Sequence, residues 1–279
     1  MYHPIEIIKN YWAIWVRKLN LGISCQDCVV NGHLIHIGVS SELEKYRANT
    51  YATKEPETIE WMDRFFKTDE VMWDIGANIG LYSLYAARAK GLKVFAFEPE
   101  STNFARLNNN INLNQLSDRM TAYNVPVGGE EKFDLLYLNP HSQRESKGSD
   151  LTPGAAMHNV GSNIDHAGSE FASHLQQGVF MSTGDRLVEH WGIPFPNHIK
   201  IDVDGLEEEI ILGMQSVLSD SRLRSILVEV SMKRGEKDAI YKEMLRHGFE
   251  PVTDFDDHSS RQLKGTPYED CYNMVFVRI

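Results

Sequence analysis

Residues 71–80, with the sequence Val-Met-Trp-Asp-Ile-Gly-Ala-Asn-Ile-Gly, decide the fold class of this chain. A short apolar segment, Val71–Ile75, predicts a buried strand, and Leu, Tyr and Ala in Ile79–Ala89 predict a helix. The turn between them contains Gly76 and Gly80, and glycine lets the backbone turn sharply or approach a ligand closely. This strand–turn–helix arrangement is typical of a ligand-binding loop at the carboxyl edge of a parallel sheet.

The pattern outward from this loop alternates strands with helices. Short apolar strands of this kind predict a mostly parallel sheet with helices on both faces, joined by right-handed crossovers. The predicted strands are Val71–Ile75, Lys93–Phe97, Met120–Val127, Phe133–Leu138, Val179–Ser182, His198–Val203, Ser225–Val230 and Met274–Ile279. The predicted helices are Pro56–Lys67, Ile79–Ala89, Asn103–Asn114, Leu206–Leu218 and Asp238–His247.

The spacing of the loop, D-x-G-x-N-x-G, differs from the G-x-G-x-x-G that holds the pyrophosphate of a dinucleotide. The carboxylate of Asp74 would repel a pyrophosphate and attract a cation, which favours S-adenosylmethionine, with its sulfonium and amino group, over NAD. Glu98 ends the next strand, where an acid accepts the ribose hydroxyl protons of either cofactor. The structural alternatives are a helix cap for Asp74 and a solvated strand end for Glu98.

Four segments occur in an order that resembles the FkbM family of S-adenosylmethionine-dependent methyltransferases. They are D-I-G-A-N-I-G-L-Y-S, F-A-F-E-P-E, I-K-I-D-V-D-G-L-E and I-L-V-E-V, preceded by K-E-P-E-T at residues 54–58. The resemblance covers roughly residues 50–279. It implies a seven-stranded, Rossmann-like class I methyltransferase fold and O-methylation of a hydroxyl on a sugar, glycolipid or natural product. A small molecule or glycan is therefore the expected acceptor.

The resemblance also implies roles for individual residues. Glu98 would hold the ribose, Asn124 would lie near the adenine, and Glu55 would contact the amino group of the cofactor or brace the loop. The sequence departs from the family pattern at Asp204, where the family usually has Glu in Asp-Val-Glu-Gly. The residues expected along the methionine part of the cofactor are Asp74, Gly76, Ala77, Asn78 and Gly80.

Methyl transfer to a hydroxyl requires that the hydroxyl lose a proton. Asp202 ends a predicted strand at the edge where ligands bind, so it is the first candidate for the general base or a metal ligand. Asp204 and Glu229 would complete an oxygen-ligand set for Mg²⁺. Metal-free base chemistry, or helix capping and a salt bridge to Lys200, are the alternatives. His166 is a second candidate base, because histidine titrates near neutral pH.

We expect an N-terminal extension over residues 1–50 and a methyltransferase domain over 51–279. Apolar residues from Ile5 to Leu19 recur at helical spacing, which predicts an amphipathic helix that could form a homo-oligomer contact. A hairpin is predicted over Val29–Gly38, around Asn31-Gly32. Residues 139–178 are rich in Ser, Gly, Asn and His, and we expect this insert to form part of the acceptor pocket or a lid.

Composition limits the classes of partner. The formal net charge of −11 disfavours a protein that coats nucleic acid, because phosphate binding needs a basic face. Charged residues interrupt the apolar N-terminal stretch, so no membrane span is predicted. Three cysteines suit a reducing, cytoplasmic compartment, and Cys25 and Cys28 are interpreted as free thiols rather than a zinc or redox pair. A nitrogen or protein acceptor, a non-catalytic module and an NAD-dependent oxidoreductase remain alternatives.

Overall fold

The glycine loop lies at the centre of the sheet in the computed structural model, which describes residues 24–138, 152–156, 158–163, 175–231, 235–255 and 271–279. The elements up to residue 123 are β1 (Ser24–Val30), β2 (His33–Val39), α1 (Glu42–Asn49), α2 (Pro56–Phe65), β3 (Val71–Ile75), α3 (Leu81–Ala89), β4 (Lys93–Phe97), α4 (Ser101–Leu113) and β5 (Met120–Tyr123). Those that follow are β6 (Lys132–Leu138), β7 (Asn159–Val160), β8 (Leu175–Met181), α5 (Gly184–Glu189), β9 (His198–Ile201), α6 (Glu207–Leu212), α7 (Gln215–Ser219), β10 (Ser225–Ser231), α8 (Glu236–Arg246), β11 (Phe249–Pro251) and β12 (Cys271–Arg278).

Seven strands of the described part form one sheet in the order β11-β12-β10-β9-β3-β4-β5. The pairs from β10 through β9, β3 and β4 to β5 are parallel, whereas β12 is antiparallel to β10 and β11. This order and direction confirm the predicted class I methyltransferase fold. The chain reverses its direction of strand addition between β3, which is central, and β9 beside it, so the carboxyl ends of these strands border a crevice.

The two faces of the sheet bury separate sets of apolar side chains, because successive residues of a strand point to opposite faces. Met72 of β3 packs in one cluster with Leu84 of α3 and Leu107 of α4. Trp73, the next residue, packs in a second cluster with Ile210 of α6. Strands covered on both faces are apolar throughout, which explains the continuous hydrophobic segments in the sequence.

The N-terminal hairpin packs into the first of these clusters. β1 and β2 pair antiparallel around Asn31 and Gly32, whose φ angles of 45° and 82° suit the tight turn that was predicted. Val30 and Ile35 are buried together with side chains of α3, so the hairpin and the sheet share one core. The predicted amphipathic helix lies in residues 1–23, outside the described part.

Three regions differ from the sequence prediction. The helix expected over Leu206–Leu218 is two helices, α6 and α7, because the Gly213 N–H closes α6 on its last carbonyls. The strand expected to reach Val127 ends at Tyr123. β6, β7 and β8 pair antiparallel in a separate three-stranded sheet of the described residues, so the insert region contributes strands as well as loops.

Candidate active site

Two cavities meet beneath the glycine loop, and Gly76 lines both of them. The first, about 470 Å³, is bordered mainly by charged and polar side chains from α1, the α1–α2 loop, β3, α3 and β9. The second, about 390 Å³, is bordered mainly by apolar side chains from the ends of β4, β6 and β7. A ligand with a charged end and a flat apolar end fits this pair of cavities.

Gly76 is the point of closest contact between the loop and β9. Its φ is +84°, and an added Cβ would lie 1.9 Å from the carbonyl oxygen of Asp202. No other residue fits at this position without displacing the backbone that carries Asp202.

The loop between β3 and α3 retains no free N–H group at its turn. Each of its five successive N–H groups, from Gly76 to Gly80, donates to an acceptor within the protein. The acceptors are Phe97 O for Gly76 and Ala77 (both 3.0 Å), Glu98 Oε2 for Asn78 (2.8 Å), Asn78 Oδ1 for Ile79 (2.9 Å) and Ala77 O for Gly80 (2.8 Å). A phosphate-binding loop needs such groups free, so this loop does not provide a pyrophosphate site.

Glu55 and Lys54 form an ion pair on the wall of the first cavity. Glu55 precedes α2, and the proline after it begins that helix. Burial alone would raise the pKa of Glu55, but the ammonium groups of Lys54 and Lys200 outweigh it and lower the pKa to about 2. Glu55 therefore carries a negative charge inside the cavity at neutral pH.

Lys200 is a fully buried cation beneath the same cavity. Its ammonium pairs with Asp202 and lies 5.2 Å from the ring centroid of Tyr82. Burial lowers the pKa of Lys200, but the carboxylates of Asp202, Asp74 and Glu55 raise it further, so the side chain stays charged. The salt bridge between Asp202 and Lys200 considered from the sequence is present.

Asp74 lies on the floor of this cavity and is 1% exposed. Its Oδ2 accepts a hydrogen bond from Ser83 Oγ at 2.6 Å, across the first turn of α3. Burial raises the pKa of Asp74, although Lys200 opposes the shift. The Asp74 side chain thus stabilises the first turn of α3 and interacts with the charge of Lys200. It also faces the cavity where the sequence led us to expect a cation.

Glu98 is held against the loop. Its two carboxylate oxygens accept the N–H groups of Asn78 at 2.8 Å and Glu100 at 3.0 Å, which leaves acceptor positions for other donors. Burial raises the pKa of Glu98 to about 8, against the lowering effect of these two bonds. Asn124 donates to the carbonyl oxygens of Glu98 and Pro99, both at 2.8 Å, so its amide braces this turn.

The second cavity is walled by apolar side chains and holds a neutral imidazole. Burial, reinforced by the positive charge of Arg47, lowers the pKa of His158 to about 4. Asp204 lines this cavity, whereas Asp202 lines the first, so the structure separates the two acids. The principal apolar walls are Phe97, Pro99, Val127, Leu136 and Val160.

Residues 152–156 of the insert lie across the loop. Asn78 Nδ2 and Asn103 Nδ2 donate to the carbonyl of Ala155 at 2.7 and 2.9 Å, and Arg47 Nε donates to the carbonyl of Gly154 at 2.6 Å. Asn78, expected beside the cofactor, lines the first cavity, and its side-chain amide also holds the insert. His166, the second candidate base, lies outside the described residues.

The described residues contain one compact group suited to a metal, formed by Cys25, Asp27 and His36 on the hairpin. Asp202, Asp204 and Glu229 do not converge in this way there, and the use of Mg²⁺ stays a prediction. Cys25 and Cys28 are not joined by a disulfide bond.

Eight residues of the first cavity were not singled out from the sequence as site residues, and four of them, Arg47, Lys54, Tyr82 and Lys200, carry its cations or contact them. One available signal was S-x-x-E at Ser41–Glu44, which is a capping box that begins α1, the helix that carries Arg47. The contact between the Lys200 ammonium and the Tyr82 ring had no local signal, because it depends on the position of α3 over β9.

Comparison with known proteins identifies the family of this chain. Residues 74–251 match the family described as Methyltransferase FkbM domain. The chain belongs to the FkbM methyltransferase family. This FkbM-family chain is 28% identical to the hexuronic acid methyltransferase AglP of Haloferax volcanii, over 75% of each protein. It is 25% identical to the 31-O-demethyl-FK506 methyltransferase FkbM of Streptomyces tacrolimicus, over 67% of the chain and 75% of that relative.

A solved structure of precorrin-6y C5,15-methyltransferase from Geobacter metallireducens also aligns with the FkbM-family chain. It has 15% identity and a TM-score of 0.44, and the alignment covers 81% of the chain and 90% of that structure. No helix of the described residues is both long and apolar enough to span a membrane.

Proposed function

We propose that this methyltransferase uses S-adenosylmethionine and methylates an oxygen of a sugar or a related small molecule. The observation that carries the proposal is the glycine loop. Its N–H groups are all engaged within the protein, while three acids, Glu55, Asp74 and Asp202, line the adjoining cavity. The engaged loop disfavours a phosphate-bearing cofactor, and the acids, which share the cavity with the cations Arg47, Lys54 and Lys200, suit a zwitterionic group.

The residues present fit the parts of that cofactor. The first cavity would hold the amino-acid end, the apolar second cavity would hold the adenine, and Gly76 borders both. Glu98 retains acceptor positions for the ribose hydroxyls. When bound, S-adenosylmethionine supplies an electrophilic methyl group on its sulfonium.

In this proposal Asp202 accepts the proton of the acceptor hydroxyl. Its side chain is 29% exposed and borders the first cavity, and the ion pair with Lys200 holds the carboxylate in place. Asp204 and His166 stay alternative bases. A metal-dependent alternative has Mg²⁺ bound by Asp202, Asp204 and Glu229. In that case EDTA should lower the rate of methyl transfer, and added Mg²⁺ should restore it.

For the acceptor, we propose sugars and sugar acids as the first class to test. One relative supports this choice, because it is named for a hexuronic acid. The other is named for the 31-O-demethyl form of FK506, which supports an oxygen acceptor without favouring sugars. Transfer of radiolabelled methyl groups to a panel of sugars, uronic acids and polyketide alcohols measures the acceptor class. Release of the label by mild base identifies a methyl ester, whereas retention identifies an ether.

The cofactor is tested first by calorimetric titration with S-adenosylhomocysteine and, separately, with NAD. Binding of S-adenosylhomocysteine and no heat with NAD is the expected result. Absence of binding by the first ligand, or clear binding of the second, contradicts the proposal.

A further inference from the structure

Arg47 is a cation of the first cavity that has no acidic partner within the described residues. It lies on α1, half-buried, and its Nε donates to the carbonyl of Gly154 at 2.6 Å. The other two cations of the cavity differ, because Lys54 pairs with Glu55 and Lys200 pairs with Asp202. The remaining guanidinium N–H groups of Arg47 are therefore available to a ligand anion.

The cofactor of the proposed function carries one such anion, the carboxylate of its amino-acid end. Many sites hold an anion with backbone N–H groups at a helix start, but here the N–H groups from Gly76 to Gly80 are engaged within the protein. A carboxylate in this cavity requires a side-chain donor. Guanidinium groups bind carboxylates in a two-point geometry, and these charge-assisted bonds are stronger than neutral ones.

We propose that Arg47 binds the α-carboxylate of S-adenosylmethionine, and this inference rests on the proposed function. Asp74 of β3 borders the same cavity and suits the ammonium group. The site would thus bind a zwitterion, with the cation supplied by α1 and the anions by the sheet edge. Arg47 lies upstream of residues 74–251, the part that matches the family.

The test measures binding of three ligands to the full-length protein by calorimetry. S-adenosylhomocysteine has both the carboxylate and the ammonium, decarboxylated S-adenosylhomocysteine has only the ammonium, and methylthioadenosine has neither. For Arg47→Gln we expect the affinity for S-adenosylhomocysteine to fall about 10- to 100-fold, as for a hydrogen bond to a charged group. The affinities for the other two ligands should change less than about twofold.

Two further variants separate charge from structure. Arg47→Lys keeps the positive charge but not the two-point geometry, so it should recover only part of the lost affinity. Lys45→Met removes an exposed charge from the same helix, paired with Glu42, and should bind all three ligands like the wild type.

The outcomes distinguish the inference from the proposed function. If the wild type binds none of the three ligands, the proposed function fails. If Arg47→Gln weakens all three ligands equally, Arg47 acts only through residues 152–156 and the inference is overturned. It is equally overturned if the variant leaves all three affinities unchanged, for example because Arg47 binds an acidic acceptor instead.

Discussion

The two cavities that meet at Gly76 differ in how they are stabilised. The first contains three acids and three cations, arranged so that Lys54 and Lys200 each face a carboxylate. The second contains apolar walls and an imidazole whose pKa of about 4 keeps it neutral. Buried charges must be paired, whereas an apolar pocket gains from excluding water, so a change in one cavity should affect different properties from a change in the other.

The largest effect is expected from Gly76→Ala, which alters both cavities. The added methyl group would collide with the Asp202 carbonyl, so cofactor binding should be lost and stability should fall by about 4 kcal/mol. Gly32→Ala is the matched control, since its φ of +82° is similar but no atom lies within 4 Å of the new Cβ. It should lose only about 1–2 kcal/mol. Equal losses in chemical denaturation would show that backbone strain, not contact with Asp202, makes Gly76 necessary.

Asp202→Asn tests the chemical role of the first cavity. Removing the general base should lower kcat about 10²- to 10⁴-fold, while S-adenosylhomocysteine affinity stays within a few-fold. Single-turnover kinetics and calorimetry measure the two effects. An unchanged rate would remove Asp202 from the mechanism.

Lys200→Met tests the pairing of charges beneath the first cavity. The substitution leaves buried carboxylates without their cation, and the free energy of unfolding should fall by about 3–5 kcal/mol at pH 7. The deficit should be smaller at pH 5, because protonation then removes the uncompensated charge. Urea denaturation at both pH values measures this, with Lys45→Met as the exposed-pair control that should lose less than about 1 kcal/mol. A deficit independent of pH would contradict the electrostatic explanation.

Glu98 predicts a pH dependence of stability. Its pKa is about 8 in the folded protein against 4.5 ordinarily, so folding is favoured below pH 4.5 and that advantage is lost as the pH rises to 8. Between pH 6 and 7 the free energy of unfolding of the wild type should fall by about 1 kcal/mol more than that of Glu98→Gln. One titrating group can change this free energy by at most about 1.4 kcal/mol per pH unit. If the wild type and Glu98→Gln gave parallel curves of unfolding free energy against pH, Glu98 would be ionised over this whole pH range.

The smallest effect is expected in the second cavity. Val160→Ala removes two methyl groups from its apolar wall and should weaken S-adenosylhomocysteine and methylthioadenosine by the same factor, about fivefold. An effect on S-adenosylhomocysteine alone would mean that the amino-acid end, not the adenine, occupies this cavity.

Much of the fold could be predicted because its signals are local. The alternation of strands and helices from Val71 to Leu113, the Asn31-Gly32 turn and the loop from Asp74 to Gly80 were correctly predicted. The helices α1 and α5 and the strands β7 and β11 were not predicted. Some boundaries were not predicted. The apolar pattern is continuous across Gly213, but the Gly213 N–H donates to the last carbonyls of α6 and ends that helix before α7.

The site was predicted less completely. Asp74 and Asp202 line one cavity, as expected from their positions at strand ends. Asn78 lines the same cavity while its amide braces the insert. Asn124, by contrast, lines neither of the two cavities, and its amide braces the turn after β4. Asp204, two residues from Asp202, borders the other cavity, because Gly76 packs against the backbone between the two cavities.

The sequence by itself determined the fold class and the edge of the sheet where a ligand binds. Both follow from periodicity and from residues adjacent in the chain, which act over a few ångströms of backbone. Only the tertiary structure decided that the two local ion pairs share one cavity, and that Arg47 borders the same cavity with no acidic partner within the described residues. Arg47 and Asp202 lie far apart in the sequence. They line the same cavity only because the fold brings α1 close to the end of β9.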